Sequence, residues 1–432
     1  MSWNFETNQI HAGQQPDPTT GARALPIYQT TSYVFESAQQ AADRFALKDQ
    51  GPIYSRLTNP TWDVVEARLA TLEGGVGALL TSSGAGAISL SILTIAQAGD
   101  NIVASPSLYG GTTNLFVHTL PKYGIETRLV EDPHDIESWK ALADERTVAF
   151  YGETIPNPAG DILDLEPLAK AAHEVGVPLI VDNTVPTPYL LRPIEWGADI
   201  VVHSATKYLG GHGTSVLGVI VDSGNFDWTK EPERFVQFNQ PDPSYHGLTY
   251  GPDLGNQAFI LKARAQGLRD LGFSASPFNA FLIEQGIETL SLRIERHVDN
   301  ALKIAQYLEK RKNEGRGVDA ISYSGLESSP YYELAKKYTP RGAGALVSFD
   351  ITGGREVGEK FVDNLPLFSN LANIGDVRSL VAHPASTTHS QLEEEGLKTA
   401  GITGGTIRLA VGIENVEDLI DALETAFKAV GL

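Results

Sequence analysis

An α/β fold, with a mostly parallel sheet flanked by helices and a smaller α+β domain behind it, is what this sequence predicts, on three observations. From Glu73 onward, apolar β-branched runs alternate with helical stretches at a spacing that implies parallel strands joined by helices on both faces. Beyond residue 345, short strands mix with amphipathic helices instead. The chain has 432 residues, more than one hydrophobic core usually organises.

Taken in order, residues 1–60 carry turn formers such as Gln14-Gln-Pro-Asp-Pro-Thr-Thr-Gly21 and only a short amphipathic stretch at 37–47. Such a segment has little to bury and gains order by lying on something larger, another subunit included. The loop Tyr54-Ser-Arg56-Leu-Thr-Asn59-Pro-Thr precedes a helix at 62–73 and reads either as a solvated loop with a helix cap or as an anion contact. Ala78-Leu-Leu-Thr-Ser then leads into Ser83-Gly-Ala-Gly86, a helix to residue 97 and a strand at 101–104. Helices follow at 112–123, 135–142 and 165–175, with strands at 126–130, 147–151, 178–181 and 200–202. Residues 226–252 are an irregular excursion rich in proline, aspartate and aromatics, and long helical stretches occupy 256–269 and 277–312. Strands at 345–349 and 406–410 and helices at 354–364 and 416–430 complete the chain. Ligands of such sheets bind beyond the carboxyl ends of the strands, which gathers Ser83, Tyr109, Asn157, Asp182 and Lys207 at one edge.

Composition narrows the function classes. Lysine and arginine number 33 against 53 acidic residues, a net charge of 33 − 53 = −20, which argues against nucleic acid as a partner. With no cysteine, thiolate catalysis and thiolate metal sites are excluded. No apolar run approaches the roughly 20 residues that span a bilayer. The opening Met-Ser-Trp-Asn-Phe-Glu has neither the basic flank nor the apolar core of a signal peptide, so a cytoplasmic protein is expected.

The residues able to carry chemistry cluster around Asp199-Ile-Val-Val-His-Ser-Ala-Thr-Lys207-Tyr-Leu-Gly-Gly-His-Gly213. A buried strand here ends in two hydroxyls, a lysine and a glycine-rich turn. Lys207 is either a snorkelling, ion-paired lysine or a reactive amine. Asp182, ending Val177-Pro-Leu-Ile-Val181, is either ion-paired within the fold or the partner of a heterocyclic nitrogen. An aspartate facing a pyridine nitrogen keeps it protonated, the electron sink that pyridoxal 5′-phosphate (PLP) chemistry requires. Ser82-Ser-Gly-Ala-Gly86 offers backbone N–H groups at a helix start, suited to a phosphate or simply a turn. Ser204 and Thr206 can add hydroxyls to that phosphate, and Tyr109, in Ser107-Leu-Tyr-Gly-Gly-Thr112, can stack on a ring or merely pack. Arg408, mid-strand in Gly404-Gly-Thr-Ile-Arg408-Leu-Ala-Val-Gly-Ile-Glu414, needs a carboxylate, from the protein or from a ligand. His203, His212, His383 and His389 show no helical pairing with an acidic residue, and no metal is assigned.

Tyr54-Ser-Arg56-Leu-Thr-Asn-Pro-Thr, Ser83-Gly84, Val181-Asp-Asn-Thr184 and Ser204-Ala-Thr-Lys-Tyr-Leu-Gly-Gly-His-Gly213 together resemble the Cys/Met-metabolism group of PLP enzymes, of the aspartate-aminotransferase fold type I. The resemblance runs over nearly the whole length. It implies PLP as cofactor, Lys207 as its Schiff-base lysine, Asp182 at the pyridine nitrogen and Tyr109 on the ring. Ser83, Gly84, Ala85, Thr184, Ser204 and Thr206 would line the cofactor, Ala85 through its backbone N–H. Tyr54 and Arg56 would reach the phosphate of a neighbouring subunit in a homotetramer built as a dimer of dimers. Asn157, Ser379 and Arg408 would bind the substrate amino acid. The implied division is an arm at 1–65, a PLP-binding domain at 66–265 and a small domain at 266–432. Within the group, the excursion with Asp242-Pro-Ser-Tyr-His-Gly247 and the run Asn373-Ile-Gly-Asp-Val-Arg-Ser379-Leu-Val-Ala-His-Pro384 are most similar to members that replace the acetate of O-acetylhomoserine with sulfide. Members that use cysteine or cleave methionine are the alternative.

Overall fold

The computed structural model describes residues 3–46, 48–49, 51–157, 160–387 and 402–432. Seven strands, β1 Gly77–Thr81, β2 Asn101–Ala104, β3 Glu126–Leu129, β4 Thr147–Glu153, β5 Leu179–Asp182, β6 Ile200–Ser204 and β7 Gly218–Asp222, form one sheet in the order β1-β7-β6-β5-β4-β2-β3. All run in one direction except β7, which pairs antiparallel with both β1 and β6. The sequence reading leaves 214–225 without an element, and β7 fills that gap. No helix separates β6 from β7, so the chain turns back on itself, where a parallel return would need a crossover.

Both faces of the sheet are covered, which is why its strands read as continuous apolar runs: every residue of β4 is buried. Along β6, Val201 belongs to one core, Ile200 and Val202 to the other, so His203 and Ser204 leave the strand on opposite faces. Local chemistry sets the helix ends. Pro60–Glu73 starts with the Asn59 side chain accepting from Thr61 N–H, has proline in its first turn, and stops at Gly74 in the left-handed conformation. Gly84–Ile95 starts with Ser83 capping Gly86 N–H at 3.0 Å.

A second sheet, β8 Val318–Ser322, β9 Leu346–Ile351, β10 Ser369–Asn370, β11 Leu380–Ala382 and β12 Thr406–Ala410, has the order β10-β11-β12-β9-β8 and is antiparallel except between β10 and β11. The helix Leu290–Asn313 packs on β8, on β9 and on the C-terminal helix Val416–Ala429. The run Ala263–Leu268 stays packed on Gly84–Ile95, and Phe273 still accepts the Ser82 N–H at 2.6 Å, so the division drawn at 265 falls inside one packed unit.

The N-terminal segment corrects the expectation of an arm with nothing to bury. Phe5–His11 is a helix against Pro60–Glu73; Phe5 is buried with its ring 5.1 Å from that of Tyr189, and Gln9 exchanges two hydrogen bonds with Ser291, at 2.9 and 3.0 Å. Residues 26–57 behave as the expectation has it: among those described in that stretch none is buried, and Val34 is 96% exposed. No helix among the described residues is long and apolar enough to cross a membrane.

Candidate active site

At the carboxyl edge of the large sheet, two glycines decide how closely the phosphate loop meets the lysine strand. A Cβ on Gly84 would lie 2.6 Å from the Ser204 Cβ, and one on Gly218 would lie 2.0 Å from the Ser83 carbonyl oxygen. Neither position has room for a side chain, so the helix start at Ser83 sits directly against Ser204. Gly84 and Ala85 offer N–H groups with no acceptor among the described residues, beside the Ser204 hydroxyl. That is an anion cradle of backbone donors at a helix N-terminus. Thr184 braces it by accepting the Ser204 N–H at 2.8 Å. Thr206 is placed differently: its hydroxyl bridges to Leu217, donating to the carbonyl at 3.3 Å and accepting from the N–H at 3.1 Å, which ties the turn after β6 to β7.

One strand over, Asp182 is in register with Glu153 on β4. Asp182 accepts the Thr184 N–H at 2.9 Å. Burial pushes its carboxyl up, while the Thr184 hydrogen bonds and the His203 ring pull it down. Glu153 has less to hold its charge: burial and then Asp182 push it well above the carboxylate range, against the Tyr109 and Asn157 N–H groups. Burial thus raises both carboxyls, and Glu153 is raised the further because the Asp182 charge opposes its own. Glu153 accepts the Tyr109 N–H at 2.6 Å, fixing the loop whose ring is 54% exposed over the edge. The sequence reading missed Glu153, and only the pairing of β4 with β5 brings it to Asp182.

On the opposite face of β6, His203 contacts Glu73 at 2.6 Å, and Asn183 donates to the same oxygen at 3.1 Å; Glu73 and His203 are fully buried. The pair staples the ends of β5 and β6 to the end of the helix Pro60–Glu73.

Lys207 lies beyond Ser204, its amine donating to the Asn373 side-chain oxygen. Burial lowers its pKa below that of a free lysine and the Arg408 charge lowers it further. No carboxylate among the described residues pairs with it, so it is a partly desolvated amine with a neutral acceptor, the condition of a nucleophilic lysine. Arg408, on β12, is 5% exposed and donates to the Asn157 side-chain oxygen at 3.3 Å and to the Asn373 main-chain oxygen at 3.0 Å. Its Nε has no partner. The small domain thus delivers a buried guanidinium, unpaired with any carboxylate among the described residues, to the lysine of the large domain.

Ser379 does not join this group. Its N–H donates to Glu414 at 2.6 Å, its hydroxyl to the other Glu414 oxygen at 2.9 Å, and the hydroxyl accepts Gly412 N–H at 2.8 Å. These bonds hold the chain before β11 to the end of β12, and Asn373, six residues earlier, occupies the place expected for Ser379. Tyr54 and Arg56 sit on the exposed arm, the guanidinium 5.2 Å from the Tyr54 ring centroid. No group of metal-ligating side chains occurs among the described residues, and His389 lies outside them.

The residues present fit PLP: free N–H groups and a hydroxyl for a phosphate, a buried carboxylate at the next strand end for the ring nitrogen, an exposed tyrosine for the ring face and an amine with no carboxylate partner among the described residues for the aldehyde.

Comparison with known proteins agrees. The chain is 53% identical over 441 residues to an O-acetyl-L-homoserine sulfhydrylase from Leptospira meyeri, covering 100% of this chain and 98% of that protein. Over 432 residues it is 52% identical to a homocysteine synthase from Schizosaccharomyces pombe, covering 98% and 99%. A Campylobacter jejuni protein described as an O-acetylhomoserine (thiol)-lyase, whose structure carries N′-pyridoxyl-lysine-5′-monophosphate, superposes with a TM-score of 0.92 at 42% identity, covering 99% of this chain and 100% of that one. The metB protein of Corynebacterium glutamicum follows with a TM-score of 0.82 and 31% identity, covering 99% and 98%. The sequence pattern of the Cys/Met metabolism PLP-dependent enzymes matches residues 6–428. The chain belongs to that family of PLP-dependent enzymes.

Proposed function

We propose that this enzyme performs γ-replacement on O-acetyl-L-homoserine, exchanging acetate for sulfide to give L-homocysteine in methionine biosynthesis. The observation that carries the amino-acid part is Arg408, buried beside Lys207 with no carboxylate paired to it among the described residues. Choice of acyl ester and nucleophile rests on the full-length relatives above 50% identity, which are named sulfhydrylases and homocysteine synthases.

Bound PLP supplies an aldehyde for the substrate's amino group and a ring that accepts the electron pair of the broken Cα–H bond. Arg408 and Asn157 hold the α-carboxylate, which orients Cα toward Lys207. With its pKa lowered, Lys207 is free to take the Cα proton and to move protons at Cβ. Acetate leaves Cγ with the C–O bonding pair, sulfide forms the Cγ–S bond, and protons return to Cβ and Cα. Net, one ester and one H2S become one thiol and one acetic acid. Asp182 faces the ring nitrogen, and the Thr184 hydrogen bonds and the His203 ring favour its charged form against burial.

We read the enzyme as a cytoplasmic homotetramer of two dimers, in which Tyr54 and Arg56 reach the phosphate of the adjoining subunit. Their exposure, and the lack of an acceptor for Arg56 among the described residues, support that reading. Supplying O-acetylhomoserine with sulfide, and separately with cysteine, tests the proposal: homocysteine from the first must dominate, and cystathionine as the main product of the second would replace it with the cystathionine-forming alternative. Methionine cleavage at a comparable rate would favour the lyase alternative.

A further inference from the structure

The run Asn373-Ile-Gly-Asp docks on the turn that carries Lys207, and the docking leaves no slack. A Cβ on Gly375, whose φ is 77°, would lie 2.5 Å from Tyr208 N and 2.8 Å from the Lys207 carbonyl carbon. Two residues on, Val377 N–H donates to the Gly211 carbonyl at 2.9 Å, and a Cβ on Gly213 would lie 2.6 Å from an Asp376 carboxylate oxygen. Asn373 is therefore held where its side-chain oxygen meets the Lys207 amine and its main-chain oxygen receives Arg408.

We propose that Asn373 is a positioning residue for the reaction, its side-chain amide holding the Lys207 amine through a neutral acceptor while its carbonyl aims Arg408. One residue thus sets the proton carrier and the carboxylate holder relative to each other. The inference rests on the reading of Lys207 as the reacting amine. A neutral acceptor orients the amine without fixing a proton on it; a carboxylate in the same place would stabilise the charged form and withdraw the nucleophile. Among the described residues, the groups facing this amine are few. Arg408 reaches it from β12, with Tyr208 and Tyr109 facing Arg408 in turn, and Asp376 pairs at 3.0 Å with Arg378.

The test uses the full-length holoenzyme loaded with PLP. The pH midpoint of its visible absorbance, which reports the proton on the Lys207 nitrogen, is measured for the parent, Asn373→Asp and Asn373→Ala. Asn373→Asp should raise the midpoint by about one unit or more, and Asn373→Ala, which removes an acceptor, should lower it. In Asn373→Ala, kcat should fall about 10- to 100-fold with KM changed less than about threefold, because the main-chain contact to Arg408 survives. Midpoints equal to the parent's in both variants, or a loss carried by KM, overturn the inference. Should Asn373→Asp not fold, the downward shift in Asn373→Ala decides alone. The absorbance reading is independent of the acyl ester and nucleophile, so shifted midpoints without homocysteine formation would fail the proposed function and leave this inference standing.

Discussion

Two buried arginines, one at each end of the molecule's logic, show what separates a structural charge from a site charge. Arg68, in the helix Pro60–Glu73, is fully buried and fully engaged: it pairs with Glu284, donates to the Ala12 carbonyl at 3.0 Å and donates to Gln14 at 2.9 Å. Arg408 is buried almost as deeply, yet among the described residues it meets only an amide and a carbonyl, with Nε unpaired. A guanidinium taken from water needs compensation of several kcal/mol. In Arg68 the protein supplies it; at Arg408 no carboxylate among the described residues does, and an α-carboxylate would match the fork.

The sharpest way to break this contrast is to truncate both. Arg408→Ala should lower kcat/KM by about 10²- to 10⁴-fold, the cost of losing a desolvated charge partner, while the melting temperature holds or rises because an uncompensated charge has gone. Steady-state kinetics and calorimetry on the same preparation read both; a large fall in stability with unaltered kinetics would make Arg408 structural after all. Arg68→Ala should do the reverse, destabilising by about 3–5 kcal/mol because Glu284 is left buried without a partner. Chemical denaturation measures it, and the surviving folded fraction should retain the parent kcat.

A third arginine extends the comparison to the surface. Arg56 is exposed, lies against the Tyr54 ring and has no acceptor among the described residues. If it completes a neighbour's phosphate site, Arg56→Ala should weaken PLP binding by a charged hydrogen bond, about 1.5–3 kcal/mol, with no loss of monomer stability. Equilibrium dialysis against PLP gives the first figure and calorimetry the second. Mixing Arg56→Ala with Lys207→Ala subunits should restore part of the activity, since some sites then take both intact residues; no recovery in mixed oligomers would confine each site to one chain.

What could be read from the sequence follows how local each signal is. The strand at 406–410 and the lysine turn after β6 announce themselves in a single short window, by apolar run, hydroxyls and glycines. Asp182 is legible as an acid ending such a run. Glu153 is not, because its meaning lies in strand register with residue 182, and parallel pairing is fixed by crossovers that no window contains. Asn373 and Ser379 show the same limit in a small domain: both are polar residues in one loop run, and only the docking of Gly375 on Tyr208 decides that Asn373 faces the lysine and Ser379 faces Glu414. β7 was hidden by the glycine-rich turn before it, which reads as the end of a unit when it is a reversal within the sheet.

The finest distinction between the two buried arginines is a pH dependence. Burial pushes the Glu284 carboxyl up to about 7, with Arg68 opposing, from an ordinary value of 4.5. A carboxyl that binds its proton more tightly in the folded chain stabilises the fold below its unfolded pKa, and that contribution is lost as the pH rises through the folded value. On this account stability, followed through the melting temperature, should decline between about pH 5 and pH 7, by up to about 3 kcal/mol, the pull of Arg68 being already contained in the folded value. Glu284→Gln should flatten that step, and Arg408→Ala should leave it in place, since Arg408 pairs with no carboxylate among the described residues. A step that disappears in Arg408→Ala instead would mean that the two guanidinium groups share an acid, and the contrast drawn between them would fall.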